Sequence, residues 1–350
     1  MSGKTIAINQ KPVAAIELNP LLRYAFGSTI IMLAAMSLNY TLAYLTPVLA
    51  LSFLAPGSKP PTVKTTFLFL MIIVVTSSTG IIFSRFFLEY PLVFMPILIL
   101  TIFHIYYTTI LQPLKIWFII SLLLIPMISQ QSLQLGSVVA VNLFVNAFLA
   151  ISLVWLVYFI FPYKELNAEN KKISTVPLQS ERTRFISAGK KILVIMPVLI
   201  LFFVFKWTNA LLVLIFISIL SMNPAFASKK AGMALIMANL GGGIAAIVAY
   251  NLLTVVPNLI FLGLLTLLTG FIFGEKLFGH QPASALFGTA FSTFLLILGN
   301  VTSFIGEAGE MVWTRILQLG IVVVYLVLAF FLVNHFIEEE KPEIKQNEAK

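Results

Sequence analysis

The charged residues of this chain are few, and most of them are crowded into three short stretches. Only 10% of the 350 residues are charged, against about 25% in an ordinary soluble domain. Residues 1–23, 163–191 and 338–350 hold 22 of the 35 charges, and the rest of the chain shares the other 13. A chain with so little charge cannot cover a water-facing surface. We therefore expect an all-α polytopic membrane protein.

The composition also excludes several chemistries. The chain has no Cys and no Asp, and its three His residues fall in three separate segments. Disulfides, thiolate metal sites and an HExxH zinc helix are therefore excluded, and no nucleotide-binding loop with its Mg²⁺ carboxylate is present. We expect no enzyme, no cofactor and no metal. The net charge of +9 indicates Lys and Arg on the cytoplasmic side rather than binding to nucleic acid.

Apolar segments recur along nearly the whole chain, and most reach the roughly 20 residues that span a bilayer. Two of them are short and end at a proline, Pro56 and Pro224. The twelve predicted spans are about 21–39, 42–56, 65–88, 91–110, 114–129, 137–161, 188–206, 209–224, 230–253, 255–275, 282–302 and 309–334.

The positive charges predict the orientation of these spans. With the N-terminus in the cytoplasm and twelve alternating spans, 19 of the 22 Lys and Arg residues lie on the cytoplasmic side. The three exceptions are Arg85, Lys206 and Arg315. This asymmetry supports both the topology and the number of spans. It places both termini in the cytoplasm.

The two halves of the chain share landmarks at a shift of 168–170 residues. The shift superposes Arg23 on Lys191 and Pro56 on Pro224, and it also brings Pro113 to Pro282 and Gly136 to Gly306. An even number of spans per repeat predicts two parallel six-helix repeats, related by an axis along the membrane normal. Coincidence is the alternative, since Pro and Gly are frequent in membrane spans.

These patterns divide the chain into five parts. Residues 1–20 form a cytoplasmic segment, 21–162 the first six-helix module and 163–187 a polar cytoplasmic linker. Residues 188–336 form the second six-helix module, and 337–350 a charged cytoplasmic tail.

Loose motifs lie along nearly the whole chain, at Leu22-Arg23, Tyr44 to Pro47, Ala55 to Gly57, Lys59 to Lys64, Gly80, Asn223-Pro224, Lys229 to Gly232 and Gly241 to Gly243. Together they resemble the fusaric-acid-resistance and aromatic-acid-exporter group of bacterial membrane proteins, in its small form without cytoplasmic domains. Two substitutions depart from the group's pattern, since Tyr44 stands where Trp is usual and Lys replaces Arg in the basic loop.

The resemblance implies a function that composition alone does not. Members of the group are inner-membrane exporters of small organic acids, often paired with a periplasmic adaptor protein. For this chain it implies an organic acid substrate and leaves an adaptor partner open.

Ionisable or polar residues inside a span are costly and are candidates for function. Arg315 lies six residues into the last span, after Glu310, and could bind a carboxylate in bidentate fashion. Snorkelling, or a structural pair with Glu310, is the alternative. Asn142 and Asn146 share one face of the sixth span. They could line a route or bond between helices.

Four further residues complete the candidate set. Arg85 and Glu89 form a surface ion pair or a gate. His104 is a proton relay or a neutral side chain bonded to backbone. Asn239, before three glycines, marks close helix packing or a break in the helix.

The hypothesis from sequence is proton-driven export of small, mainly aromatic, organic acids near the module interface. In this hypothesis Arg315 is the anion anchor, the Asn pair is the polar lining, and His104 or Glu310 carries the proton. A passive anion channel and a non-transporting membrane scaffold subunit are the alternatives, and a homo-oligomer is left open.

Overall fold

The computed structural model describes residues 18–40, 42–108, 112–163, 180–206, 229–279 and 283–302, together with residues 325, 328 and 329. Within these residues the chain forms α-helices and no strand, which confirms the all-helical class there. The ten helices are α1 Leu18–Leu38, α2 Leu45–Leu54, α3 Val63–Phe87, α4 Pro91–Tyr107, α5 Gln112–Ser129, α6 Leu133–Ile160, α7 Glu181–Phe205, α8 Lys229–Val255, α9 Leu259–Leu277 and α10 Ser284–Thr302.

Each of these helices coincides with one predicted apolar segment. Seven of them are long and apolar enough to cross a membrane, and α2, α4 and α5 are shorter apolar helices. Large apolar side chains such as Leu92 and Phe159 are 91% and 85% exposed, as lipid-facing residues are. The predicted spans 209–224 and 309–334 lie outside the described residues, apart from 325, 328 and 329. The described part is thus that of a multi-pass membrane protein.

Polar residues begin several of the helices. Thr62, Ser132 and Ser180 each accept a hydrogen bond from the backbone N–H three residues on, and Asn258 accepts one from Ile260. Each cap satisfies a backbone donor that the first helical turn leaves free. The short α2 ends before Pro56, where Gly57 has φ +77° and turns the chain back. Glycine adopts this conformation without steric cost.

Two clusters of buried apolar side chains hold the helices together. We call the cluster built by α3, α4, α5 and α7 the first core, and the cluster built by α1, α2, α8, α9 and α10 the second core. Helix α6 contributes to both, with Leu143 and Ile151 in the first and Val154 and Val157 in the second. The long α6 therefore joins the two cores.

The two cores do not follow the division of the sequence into halves. Helix α1 packs along α9, where Ala25 lies against Gly270 and Leu21 against Gly274. Helix α7 packs along α4, where the rings of Phe94 and Phe203 are stacked 5.1 Å apart. The first predicted span of each half of the chain thus packs against the fourth predicted span of the other half.

In each core a glycine lets one helix approach a backbone carbonyl of its neighbour very closely. In the first, a Cβ at Gly80 of α3 would lie 2.6 Å from the Ser121 carbonyl oxygen of α5. In the second, a Cβ at Gly242 of α8 would overlap the Ala290 carbonyl oxygen of α10. Small residues let helix backbones approach this closely in membranes.

Candidate functional site

The predicted site residues do not form one group in the described structure. Arg315 and Glu310 lie outside the described residues. His104, Arg85 and Glu89 are all exposed, and no contact joins Arg85 to Glu89 in the part of the chain that is described. Their predicted roles as proton relay, pair or gate stay predictions.

The Asn pair belongs to a hydrogen-bonded network between α2 and α6. Asn146 is fully buried, and its Oδ1 accepts a 2.8 Å hydrogen bond from the Thr46 hydroxyl at the start of α2. Its Nδ2 donates to the Asn142 carbonyl at 2.7 Å, and the Asn142 amide donates to Val138. Tyr40 hydrogen-bonds Thr46 from the other side. This network connects the start of the short helix α2 to the middle of α6.

Burial raises the pKa of the Tyr40 phenol above its ordinary value, and the Thr46 hydrogen bond opposes this effect. The phenol therefore stays protonated at neutral pH. It serves the network as a neutral hydroxyl rather than a charge.

Asn239 plays a similar part in the second core. It is 3% exposed on α8, and its Oδ1 accepts a 2.5 Å hydrogen bond from the Thr293 hydroxyl of α10. Gly242 makes the close approach to α10 one turn later. The α8 helix runs unbroken through the three glycines. Asn239 thus contributes to close helix packing.

The described cations concentrate at one end of the bundle, which we call the basic end. There Arg184 and Lys191 of α7 lie over Tyr107 and Tyr106 of α4, and Lys115 of α5 lies at the end of α4. We call these five residues the basic cluster. The Arg184 guanidinium lies 5.4 Å from the centre of the Tyr107 ring, and the Lys191 ammonium 5.6 Å from that of Tyr106. Lys115 donates to the Thr108 carbonyl oxygen.

The local sequence brings these side chains together. Arg184 and Lys191 are seven residues apart on α7, which is about two turns, so they share one face. Because α7 packs along α4, this face meets the tyrosines at the end of α4. The rings hold the cations by attraction to their π faces, worth about 0.5–2 kcal/mol each.

Positive charge in the basic cluster is poorly compensated. Lys115 is 8% exposed, and it lies close enough to Arg184 and Lys191 for like-charge repulsion. Arg184 has one ion pair to a described residue, a 3.8 Å contact with Glu181, whose side chain is 84% exposed. The Arg184 Nε atom is buried and has no hydrogen-bond partner. The cluster can therefore attract and orient an anion.

A second buried cation, Arg23 of α1, lies at the same end of the bundle. It is 4% exposed and stands over the Tyr158 ring of α6, with 4.5 Å to the ring centre. No cation of the basic cluster is recorded in contact with it in the described structure.

A cavity of about 330 Å³ opens about 20 Å further along α1, at the end away from Arg23. Its lining mixes apolar and polar side chains, which are Met36, Asn39, Leu253, Pro257, Asn258, Leu259, Leu262 and Thr302. Among the described residues no three His, Asp or Glu side chains form a group that could hold a metal ion.

Sequence reasoning missed the basic cluster, although a signal was present. Lys115 and Lys191 fall inside predicted spans, where a cation is expensive. Both are among the 19 cations that indicate the orientation of the spans. Their positions two to four residues inside a span, near the tyrosine pair, could have marked them as candidates.

One protein-family model matches part of the chain. A family model described as a protein of unknown function (DUF2955) matches residues 20–158, which run from α1 into α6. No curated protein and no solved structure matches the chain. The family match is compatible with the resemblance noted from the sequence and adds no function to it.

Proposed function

We propose that this protein is a bacterial inner-membrane secondary transporter that exports small organic acids, aromatic carboxylates above all, using the proton gradient. The observation that carries the proposal is the basic cluster. Two cations lie over two tyrosine rings with Lys115 beside them, and the described part supplies the three cations with one exposed carboxylate. An aromatic carboxylate complements both features, since its charge meets the cations and its ring meets the tyrosines.

The energetic cost of the cluster supports this interpretation. Lys115 and Lys191 give up much of their hydration on burial, and they repel each other. Removing an ion from water costs several kcal/mol unless a partner compensates. Apolar side chains of similar size would pack at these positions without that penalty. A bound anion repays the cost during transport.

The architecture within this proposal is twelve spans in two parallel repeats. The packing supports it, because α3 with α5 and α8 with α10 hold equivalent positions in the two halves, and each pair meets at a glycine. The packing of α1 on α9 and of α7 on α4 is also related by the repeat shift. A rocking motion of two related groups about a central route is the usual consequence of such repeats.

The basic end faces the cytoplasm in this proposal, and both termini lie on the same side. The charge asymmetry of the loops supports the orientation. The basic cluster is then the entry for a cytoplasmic anion, and the cavity at the opposite end lies on the exit side. Arg315 as a deeper anchor and Glu310 or His104 as proton carrier complete the route. A periplasmic adaptor and a homo-oligomer are the proposed partners.

Flux through the purified protein tests this function. The full chain is reconstituted into liposomes, and export of labelled benzoate is followed with and without a pH gradient. We expect gradient-dependent flux that falls about tenfold at low benzoate in Arg184→Gln, because a charge-assisted bidentate contact is lost. Arg182→Gln is the matched control, since Arg182 is exposed two residues earlier on α7.

The outcomes separate the candidate functions. Flux that ignores the gradient would identify a passive anion channel. Absence of benzoate flux in the wild-type chain, in liposomes where the protein is folded and correctly inserted, would contradict the transporter. Equal flux in Arg184→Gln and Arg182→Gln would remove the basic cluster from the route.

A further inference from the structure

Arg23 is a buried cation for which the described structure offers no counter-charge. Its side chain is 4% exposed, and its Nε atom is buried without a hydrogen-bond partner. Within the described residues Arg23 forms no ion pair and no hydrogen bond. Its contacts are with two rings, Tyr158 at 4.5 Å and Tyr163 at 5.8 Å.

The tyrosine beneath Arg23 is fixed in place. The Tyr158 hydroxyl donates to the Phe53 carbonyl at 2.8 Å and lies 3.2 Å from the Ser58 carbonyl. These carbonyls stand at the end of α2 and in the turn after it. The ring therefore presents a rigid face, and the guanidinium is held over it rather than free to snorkel.

Aromatic rings continue from this point along α1 and α6. Phe26 lies one turn after Arg23, and it stacks on Phe161 with ring centres 6.0 Å apart. Tyr163 lies three residues after the end of α6 and is half-buried. The guanidinium thus lies beside a row of uncharged aromatic side chains.

Cation–π contacts compensate Arg23 only in part. An arginine has five N–H donors and binds planar oxyanions through two parallel hydrogen bonds. The cation–π contacts with Tyr158 and Tyr163 use none of these N–H donors. A buried ion with unused donors costs several kcal/mol, and a planar anion would satisfy both the charge and the donors.

We propose that Arg23 is the centre of a second anion-binding site, distinct from the basic cluster, whose ligand is a small carboxylate with a planar ring. The carboxylate accepts hydrogen bonds from the guanidinium, and the ring packs against Tyr163 and Phe161. The site goes beyond the transport activity, because binding here requires neither a gradient nor passage through the membrane.

The test is binding of ¹⁴C-benzoate to the purified full chain in detergent, measured by equilibrium dialysis. All proteins compared carry Arg184→Gln, which weakens the basic cluster and leaves the Arg23 site as the main one. We expect Arg23→Gln to weaken benzoate binding at least tenfold. Arg23→Lys keeps the charge but loses the paired donors, so it should give an intermediate affinity.

A second variant keeps the test decisive where Arg23→Gln does not fold. Tyr163 lies outside the helices, so Tyr163→Leu should fold, and it should weaken benzoate binding while leaving binding of acetate unchanged. Benzoate binding that is equal in Arg184→Gln alone and in Arg184→Gln combined with Arg23→Gln or with Tyr163→Leu would overturn the proposal and make Arg23 a structural cation. Displacement of benzoate by phosphate but not by other ring carboxylates would also overturn it, in favour of a phosphate or lipid headgroup.

Benzoate binding without transport would leave this site standing and contradict only the proposed export. Transport that survives Arg23→Gln, with the dialysis affinity lost, would leave export standing. The two proposals therefore fail separately.

Discussion

The first and second cores share a packing plan but differ in charge. Each brings two helices together at a glycine, Gly80 in the first and Gly242 in the second. At the basic end, however, the first core gathers Lys115, Arg184 and Lys191, whereas among the residues whose burial is described the second holds a single buried cation, Arg23. Packing alone therefore does not require the extra cations. A feature present in one core and absent from the other in the described residues is the natural place to look for function.

The largest expected effect is a disulfide cross-link between the two halves of the chain, which tests the packing of α1 on α9. The chain has no Cys, so Ala25→Cys with Gly270→Cys introduces one defined pair. A Cβ at Gly270 lies 3.4 Å from the Ala25 Cβ, close to the roughly 3.5–4.5 Å of a disulfide. With a protease site placed in the linker, oxidation should keep the two cleaved halves joined on a denaturing gel.

Ala25→Cys with Gly241→Cys is the control for this cross-link, because a Cβ at Gly241 has no neighbour within 4 Å. Separation of the halves in the Ala25–Gly270 pair would mean that α1 does not pack on α9. The division into two cores would then be wrong.

The glycine contacts give the next largest effect. Gly242→Ala places a methyl group on the Ala290 carbonyl oxygen, which is backbone and cannot rotate away. We expect a loss of about 1–3 kcal/mol in the free energy of unfolding, measured by denaturant titration in mixed micelles. Gly80→Ala should show a similar loss, and Gly241→Ala little change. A neutral Gly242→Ala would show that the two cores are not packed alike.

Two buried polar contacts, one between α2 and α6 and one between α8 and α10, give a smaller effect. Thr46→Val removes two side-chain hydrogen bonds, to Asn146 and Tyr40, whereas Thr293→Val removes one, to Asn239. A hydrogen bond between membrane helices contributes about 0.6 kcal/mol on average. The first change should therefore destabilise the protein by about 1 kcal/mol and the second by about half of that. The reverse order, in the same titration, would contradict the network described here.

The smallest expected effect is a gain in the free energy of unfolding, where the variants above cause a loss. Lys191→Met removes a partly buried cation that loses hydration and is repelled by Lys115, so it should raise the free energy of unfolding by about 0.5 kcal/mol. Benzoate flux should fall in the same variant. Lys276→Met, at an exposed cation of the same end, should change neither quantity. A clear destabilisation by Lys191→Met would show that the cluster is held for packing instead.

Much of the fold was predictable from local pattern. The ten described helices lie on ten of the predicted apolar segments, because span length and proline position mark them directly. Asn142 and Asn146 were placed on one face by their spacing of four, and the structure links them by a hydrogen bond. The short second span was predicted from Pro56.

The partners of these elements were not predictable from the sequence. Thr46 meets Asn146 across 100 residues, and no local signal fixes that pairing. The repeat shift aligns Arg23 with Lys191, but it does not say that α1 packs on α9 or α7 on α4. The basic cluster depends on that second pairing, since its tyrosines and cations come from three different helices.

The concentration dependence of benzoate export at two salt concentrations tests the central claim most directly. If the basic cluster captures the anion, Arg184→Gln should raise KM about tenfold with little change in maximal rate. Salt should raise the wild-type KM more than that of the variant, because salt screens the Arg184 charge, which the variant lacks. An unchanged KM in Arg184→Gln, with equal salt dependence in both proteins, would contradict a role of the cluster in anion capture.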